Sequence, residues 1–357
     1  MDFILQNIVP EFAFSGGFVN CEKIENGHIN DTYAVTTSAK RYVLQKLNNA
    51  VFPDIPAVLK NTEEVIAHIS WKIVASGGNL KRECLTLIKT RDGGYSFTDE
   101  NGGVWRATLF IDNALSYARI PNSETAEQAG KAVGRFLTLT SDLPASKITN
   151  SIPDFHNTEK RFADFEQALR ENPKDRAKES DREINLIYQH KGILDDFKEY
   201  KKDMPMRVTH NDTRLANMLF DATSGDALML IDLDTVMNGY SSYDYGDALR
   251  SVAGTPDAAQ VVMDEKAFDL FTRAYLNETK GLLTAAEIDA LPTAILIAAY
   301  ELALRYLTDF LTGDAYFPAA YPSQNLDKAR VQLKLLSDIE YKTIWIGAAI
   351  KRILKRL

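Results

Sequence analysis

Val208-Thr209-His210-Asn211-Asp212-Thr213-Arg214-Leu215-Ala216-Asn217-Met218-Leu219-Phe220, with Leu230-Ile231-Asp232-Leu233-Asp234 after it, decides how this chain is read. The first part fits H-x-D-x-x-x-x-N, and Asp232 falls fifteen residues after Asn217. Between them, two apolar runs flank the turn Asp221-Ala222-Thr223-Ser224-Gly225-Asp226. Folding that segment as a hairpin about Ser224 sets Asn217 opposite Ile231, one residue from Asp232. An amide oxygen and a carboxylate then share a corner, and both are hard oxygen donors of the kind Mg²⁺ takes. Asp212 lies on the loop feeding the hairpin, within reach of that corner. A carboxylate there can orient a hydroxyl and accept its proton, and Arg214 can meet a phosphate. Phosphoryl transfer needs these parts and little covalent help. Singly, each residue has a plainer reading, since Asp is common in Asx-turns and Asn before a strand is usually a cap. The joint pattern makes Asp212 and Arg214 the candidate catalytic residues, and Asn217 and Asp232 the candidate metal ligands.

Outward from this stretch, the chain divides into an N-terminal β-rich part, 1–111, and a mainly helical part, 112–357, with the small β insert just described. The fold class is α+β, with two lobes. Short strands are expected around Cys21, Val35 and Val43, and Val58, Val65, Ile66 and Ile69 mark a helix over 55–75. Asp92-Gly93-Gly94 predicts a hairpin between 85–88 and 95–97, and Asn101-Gly102-Gly103 another between 95–97 and 104–111. After the crossing at 110–112, helical spacing recurs over 122–139 and 158–201. Thr284 with Glu287 resembles a capping box, and Gly313 is a stop for a helix starting near Thr293. The last stretch, 344–357, reads as a docked helix whose cations suit its dipole, in preference to a membrane-surface helix.

The 357 residues suit two lobes. A net charge of -8 argues against sequence-independent nucleic-acid binding, which needs Lys and Arg on phosphates. Cys21 and Cys84 sit in no zinc pattern and read as reduced thiols. The N-terminus lacks a signal-peptide pattern and no long uncharged apolar run spans a membrane, so the expected location is the cytoplasm. H-E-x-x-H, G-x-S-x-G and Walker A motifs are absent.

Other residues are less decisive. The turn Asn26-Gly27-His28-Ile29-Asn30-Asp31-Thr32-Tyr33 occupies the first hairpin, where a loop can cover phosphates, but it has a single glycine. The strand position expected to carry a phosphate-binding cation is Gln45, with Lys46 on the opposite face. Glu63 is a possible acidic partner for such a cation, and equally a solvated helix charge. Asp244 and Asp247 are expected to buttress the catalytic loop by accepting its N–H groups.

H-x-D-x-x-x-x-N followed by I-D-x-D resembles the aminoglycoside phosphotransferase and choline kinase superfamily. Within it, the chain is most similar to the N-acetylhexosamine 1-kinase group. The similarity rests on Gly27 to Asn30, Thr32-Tyr33, Leu44-Gln45, Phe110-Ile111, Thr209 to Thr213, Ile231 to Thr235, Asp244 to Asp247, Arg305, Gly313-Asp314 with Tyr316-Phe317, and Asn325-Leu326. The resemblance implies a protein-kinase-like fold and transfer from ATP, with Mg²⁺, to the anomeric hydroxyl of N-acetylglucosamine or N-acetylgalactosamine. It places Asp212 as base at O1, with Asn217 and Asp232 on the metal. Asn30, Thr32, Gln45, Phe110 and Ile111 fall at nucleotide-binding positions, and His28, Asp212, Arg305 and Tyr316 at sugar-binding ones. Gln45 in place of the cation also resembles that group. The rival readings are a same-fold kinase of homoserine, choline, methylthioribose or an aminoglycoside, and a nucleotide-binding pseudokinase. The pseudokinase predicts loss of Asp212, Asn217 or Asp232, and all three are present.

Overall fold

The computed structural model describes residues 2–24, 29–254 and 261–357. His28 lies outside them. The N-terminal part carries α1 (Asp2–Asn7), β1 (Phe18–Lys23), β2 (Asp31–Thr37), β3 (Arg41–Lys46), α2 (Ile55–Ala75), α3 (Leu80–Glu83), β4 (Ser96–Thr98) and β5 (Val104–Leu109). The strands form an antiparallel sheet in the order β1-β2-β3-β5-β4. Its alternation buries Val35, Tyr42, Leu44, Trp105 and Ala107 with Ile8 and Phe12 in one core. Gln45 stands opposite Arg106 in the β3–β5 register.

The expected hairpin between 85–88 and 95–97 does not form. Residues 86–88 run along β5 instead: Leu109 donates to the Thr86 carbonyl and Ile88 to the Ala107 carbonyl, both at 2.9 Å. Beside them, β4 pairs with the first half of β5, so both segments share one edge of that strand. The turn Asp92-Gly93-Gly94 closes locally, with Thr90 donating to the Gly94 carbonyl at 2.8 Å.

The helix over 55–75 forms as expected, capped by Asp54. Its apolar face does not pack on the sheet alone. Val65, Ile66, Ile69 and Ile73 join the large core of the helical part, beside Ala129, Val133 and Phe136. Asn61 pins this helix deeper, donating to the Thr149 and Val236 carbonyls at 2.7 and 2.9 Å.

The helical part follows with β6 (Ala114–Leu115), α4 (Ser123–Thr140), α5 (Thr158–Glu171), α6 (Asp181–Gln189), α7 (Gly192–Lys201), β7 (Arg207–Thr209), β8 (Met218–Asp221), β9 (Ala227–Leu230), β10 (Met237–Gly239), α8 (Ser241–Ala253), α9 (Glu265–Glu278), α10 (Ala285–Thr312), α11 (Gln324–Tyr341) and α12 (Thr343–Leu354). The region 158–201 is three helices rather than one pattern, interrupted first at Asn172, which takes a left-handed conformation (φ 39°). The helix expected from near Thr293 begins earlier, at Ala285, and runs through Pro292. Its Thr284–Glu287 capping box and the burial of Leu291, Ala294 and Ile295 outweigh the bond that proline removes. Gly313 ends it at φ 109°. This helix is long and apolar enough to cross a membrane by composition, but 72% of that window is buried among the other helices, chiefly α8, α11 and α5. The terminal helix α12 docks through Ile346, Ala349, Ile350 and Ile353. Cys21 and Cys84 are free and buried.

Candidate active site

β7 and β10 pair antiparallel, Thr209 against Met237, and the loop after β7 is fastened from below by α8. The Asp244 carboxylate accepts the amides of His210 (2.8 Å) and Asn211 (2.7 Å), and its carbonyl accepts the Thr213 hydroxyl (2.6 Å). Burial pushes the Asp244 carboxyl up, against these donors and the histidines nearby. Asp247 does not share this task; it pairs with Arg250 one turn along α8. Asn211 sits at φ 65°, a left-handed conformation that Asn tolerates, held by the Thr209 hydroxyl (2.9 Å) and by its own bond to the Thr235 carbonyl (2.9 Å).

The hairpin register anticipated above is present. Met218 pairs with Leu230, and the Ile231 amide donates to the Asn217 carbonyl at 2.8 Å. Asn217, Asp212 and Asp232 therefore converge. The Asn217 side-chain amide donates to the Asp212 carboxylate Oδ2 (2.8 Å) and to the Asp212 carbonyl (2.9 Å). Arg214 Nε lies 3.4 Å from the same Oδ2. Among the described residues, Oδ1 of Asp212 has no hydrogen-bond partner, so one oxygen is left for an incoming hydroxyl. His210 joins the two halves: its Nδ1 accepts the Asp212 amide (3.3 Å) and its Nε2 faces the Ile231 carbonyl (3.0 Å).

Burial and clustered carboxylates set the electrostatics of this corner. Burial, then Asp234 and Asp212, push the Asp232 carboxyl up to about 7, with Arg106 and Arg214 opposing. Burial works against the charge of Arg214, but Asp212, Asp232 and Asp247 outweigh it. Since the Asn217 nitrogen is committed to Asp212, its oxygen is the end available to a cation. Among the described residues there is no preformed cluster of three or more His, Cys, Asp or Glu side chains. One carboxylate, one amide oxygen, phosphate oxygens and water are the donor set Mg²⁺ ordinarily takes beside a nucleotide, so the residues fit that ion.

Three of the residues expected at the nucleotide lie in one hydrogen-bonded circuit across the lobes. Thr32 donates to the Asn30 carbonyl (3.3 Å), Gln45 Nε2 to the Thr32 hydroxyl (3.3 Å), and Arg106 Nε and Nη2 to Gln45 Oε1 (3.1 and 2.9 Å). Arg106 Nη1 pairs with Asp234 Oδ1, whose other oxygen accepts Asn30 Nδ2 (2.8 Å). Phe110 and Ile111 lie apart from this circuit, at the crossing from β5 to β6, where the Arg41 guanidinium covers the Phe110 ring at 4.0 Å. Lys46 is on the other face, with Nζ 5.7 Å from the Trp105 ring. Glu63 is exposed and makes no bond to the strand cation.

Arg305 and Tyr316, far apart in type and element, line one cavity of about 300 Å³ with Arg161, Asp164, Thr308 and Asp309. Arg305 Nη2 donates to the Tyr316 hydroxyl at 3.3 Å, and its guanidinium lies 5.8, 5.5 and 5.4 Å from the rings of Phe155, Tyr316 and Phe317. Asp309 shapes the loop by accepting the amides of Tyr316 and Phe317, each at 2.8 Å. Phe155, which the Arg305 guanidinium faces, is followed in the chain by His156. His156 Nδ1 bonds Glu301 of α10 (2.8 Å) and Nε2 bonds the Asn211 carbonyl (3.0 Å). Sequence reasoning missed Arg106, His156 and Glu301. The available signal was a lone Glu301 in the apolar run of α10 and a lone Arg106 in β5, since a buried charge must have a partner.

The sequence profile of the phosphotransferase enzyme family (APH) matches residues 20–278. The chain belongs to this family. Three solved structures share the fold of this phosphotransferase. A microcompartment-associated aminopropanol kinase is 14% identical, with 97% of this chain and 99% of that one aligned and a TM-score of 0.67. An aminoglycoside phosphotransferase from Alicyclobacillus acidocaldarius is 15% identical over 98% and 96%, with a TM-score of 0.61. A spectinomycin phosphotransferase in complex with ADP and spectinomycin is 12% identical over 93% and 95%, with a TM-score of 0.57. The protein is a phosphotransferase, with the β-sheet N-terminal lobe and helical C-terminal part of that fold.

Proposed function

We propose that this phosphotransferase moves the γ-phosphoryl group of ATP to the anomeric hydroxyl of an N-acetylhexosamine, N-acetylglucosamine or N-acetylgalactosamine, giving the sugar 1-phosphate and ADP. The observation that carries the reading is the charge state of the acceptor cavity. Its two carboxylates are already engaged: Asp164 by Lys160 (2.8 and 2.9 Å), and Asp309 by two backbone amides and Asn325. Its wall includes the Arg305 guanidinium beside the half-exposed Tyr316 ring. A pocket for an amino-alcohol or aminoglycoside needs uncommitted negative charge; this one offers a cation, hydroxyls and an aromatic face. That suits a neutral, polyhydroxylated ring.

The transfer then follows from the chain's own groups. Asp212 Oδ1 accepts the proton of the acceptor O1 as that oxygen attacks the γ-phosphorus. Asn217 and Arg214, both on Oδ2, fix the carboxylate's rotamer. Arg214 also faces the phosphoryl group, and Asn217 with Asp232 would hold Mg²⁺. The metal, when bound, neutralises charge on the β- and γ-phosphates. Residues 1–111 are taken as the nucleotide-binding lobe and 112–357 as the catalytic and sugar-binding lobe, with Phe110 and Ile111 against the adenine and His28 and Tyr316 against the sugar. The ADP complex of the spectinomycin phosphotransferase supports an adenine nucleotide as donor.

A coupled ADP-release assay with Mg²⁺ and ATP tests this across N-acetylglucosamine, N-acetylgalactosamine, glucose, homoserine, choline and ethanolamine. ADP release with the N-acetylhexosamines and an acid-labile phosphate product is expected. Release only with the amines would overturn the sugar reading and leave the catalytic Asp212 in place.

A further inference from the structure

Gln45 cannot supply charge, and Lys46 is turned to the other side of β3. Yet the circuit between the lobes contains one buried cation on the same face as Gln45. Arg106, 4% exposed, is in direct register with Gln45 on the neighbouring strand. We propose that Arg106 is the phosphate-binding cation of this enzyme, delivered from β5 rather than β3, and that Gln45 is retained as its holder.

The stereochemistry supports this division of labour. A guanidinium has five N–H donors in a planar fork and no acceptor. Gln45 Oε1 takes Nε and one Nη2 hydrogen, and Asp234 Oδ1 lies against Nη1 as an ion pair without forming a hydrogen bond. Nη2 keeps one hydrogen and Nη1 has no hydrogen-bond partner among the described residues, so adjacent donors are left to match two phosphate oxygens. Gln45 is oriented in turn by Thr32, and Asp234 by Asn30, so the fork cannot rotate. Asp234 is 2% exposed and lies two residues from Asp232. The pair therefore holds the cation next to the corner where Asn217 and Asp232 meet. A glutamine is a better partner here than the lysine it replaces, because a second buried cation would repel Arg106.

The inference rests on a nucleoside triphosphate donor, not on the identity of the acceptor. It is tested by calorimetric binding of Mg-ATP and of adenosine to the full chain. In R106M, Mg-ATP affinity is expected to fall about tenfold to a hundredfold, the worth of charge-assisted hydrogen bonds. Adenosine should bind within about twofold of wild type, which also shows that the variant is folded. The swap Q45K/R106M should regain most of the loss. R106M/D234N removes the alternative that Arg106 merely neutralises Asp234: it should stay weak for Mg-ATP. Wild-type Mg-ATP affinity in R106M/D234N would overturn the assignment. Equal binding of adenosine and Mg-ATP by the wild type would instead overturn the donor reading beneath it.

Discussion

Replacing Asp212 by alanine separates chemistry from binding and from folding. The carboxylate makes two side-chain contacts, to Asn217 at 2.8 Å and to Arg214 at 3.4 Å, and the Asp212 side chain keeps 24% of its exposure. Asn217 retains its second bond, to the Asp212 carbonyl at 2.9 Å, so the loop stays fastened. Asp244 and Thr235 hold the neighbouring backbone independently. A partly exposed ion pair of this kind is worth about 0–1 kcal/mol, and the stability change should not exceed that. Removing Asp212 also removes one of the charges that raise Asp232. Loss of a general base costs about a hundredfold to ten-thousandfold in rate, or about 2.7–5.5 kcal/mol of barrier. Initial-rate ADP release should fall by at least about a hundredfold while calorimetric Mg-ATP binding stays within a few-fold. Turnover within tenfold of wild type would refute Asp212 as the base, whatever the acceptor.

Other expectations follow from the same geometry. Asn217→Ala should raise the Mg²⁺ concentration needed for half-maximal rate; a titration superimposing on wild type would remove Asn217 from the metal site. His156 faces acceptors on both nitrogens, so its ring holds two protons, and Glu301, with Asp247 behind it, raises its pKa against the cost of burial. A raised folded pKa gives stability that is full below about 6.5 and is lost as pH climbs through the folded value. Glu301 is lowered, against burial, by His156 and Thr158, so its share is lost only as pH falls through that depressed value. His156→Asn should therefore cost about 3–5 kcal/mol near neutrality and less in alkali; a melting-temperature gap independent of pH would count against the imidazolium. In Gly246→Ala the added methyl would meet the Ala294 carbonyl at 2.1 Å. That change should separate α8 from α10 and cost about 1–3 kcal/mol or more by chemical denaturation.

What the sequence determined by itself was local or short in range. The H-x-D-x-x-x-x-N segment, the symmetric turn around Ser224 and the register placing Asn217 against Ile231 depend on one loop and two adjacent strands. The helix at 55–75 and the Thr284–Glu287 cap were likewise legible, because their causes lie within a few residues. Asp244 as a buttress was readable and Asp247 was not, since one turn of helix decides which carboxylate faces the loop. Residues 85–88 carried a hairpin's turn signal, but the edge of β5 competed for them and won. Pro292 reads as a boundary only if the burial of α10 is ignored. Tertiary structure alone decided where the charges went. Arg106 finds Asp234, and His156 finds Glu301, across separations over which sequence carries no distance information. Burying each charge is costly without its partner, and only the packed fold shows which partner is at hand.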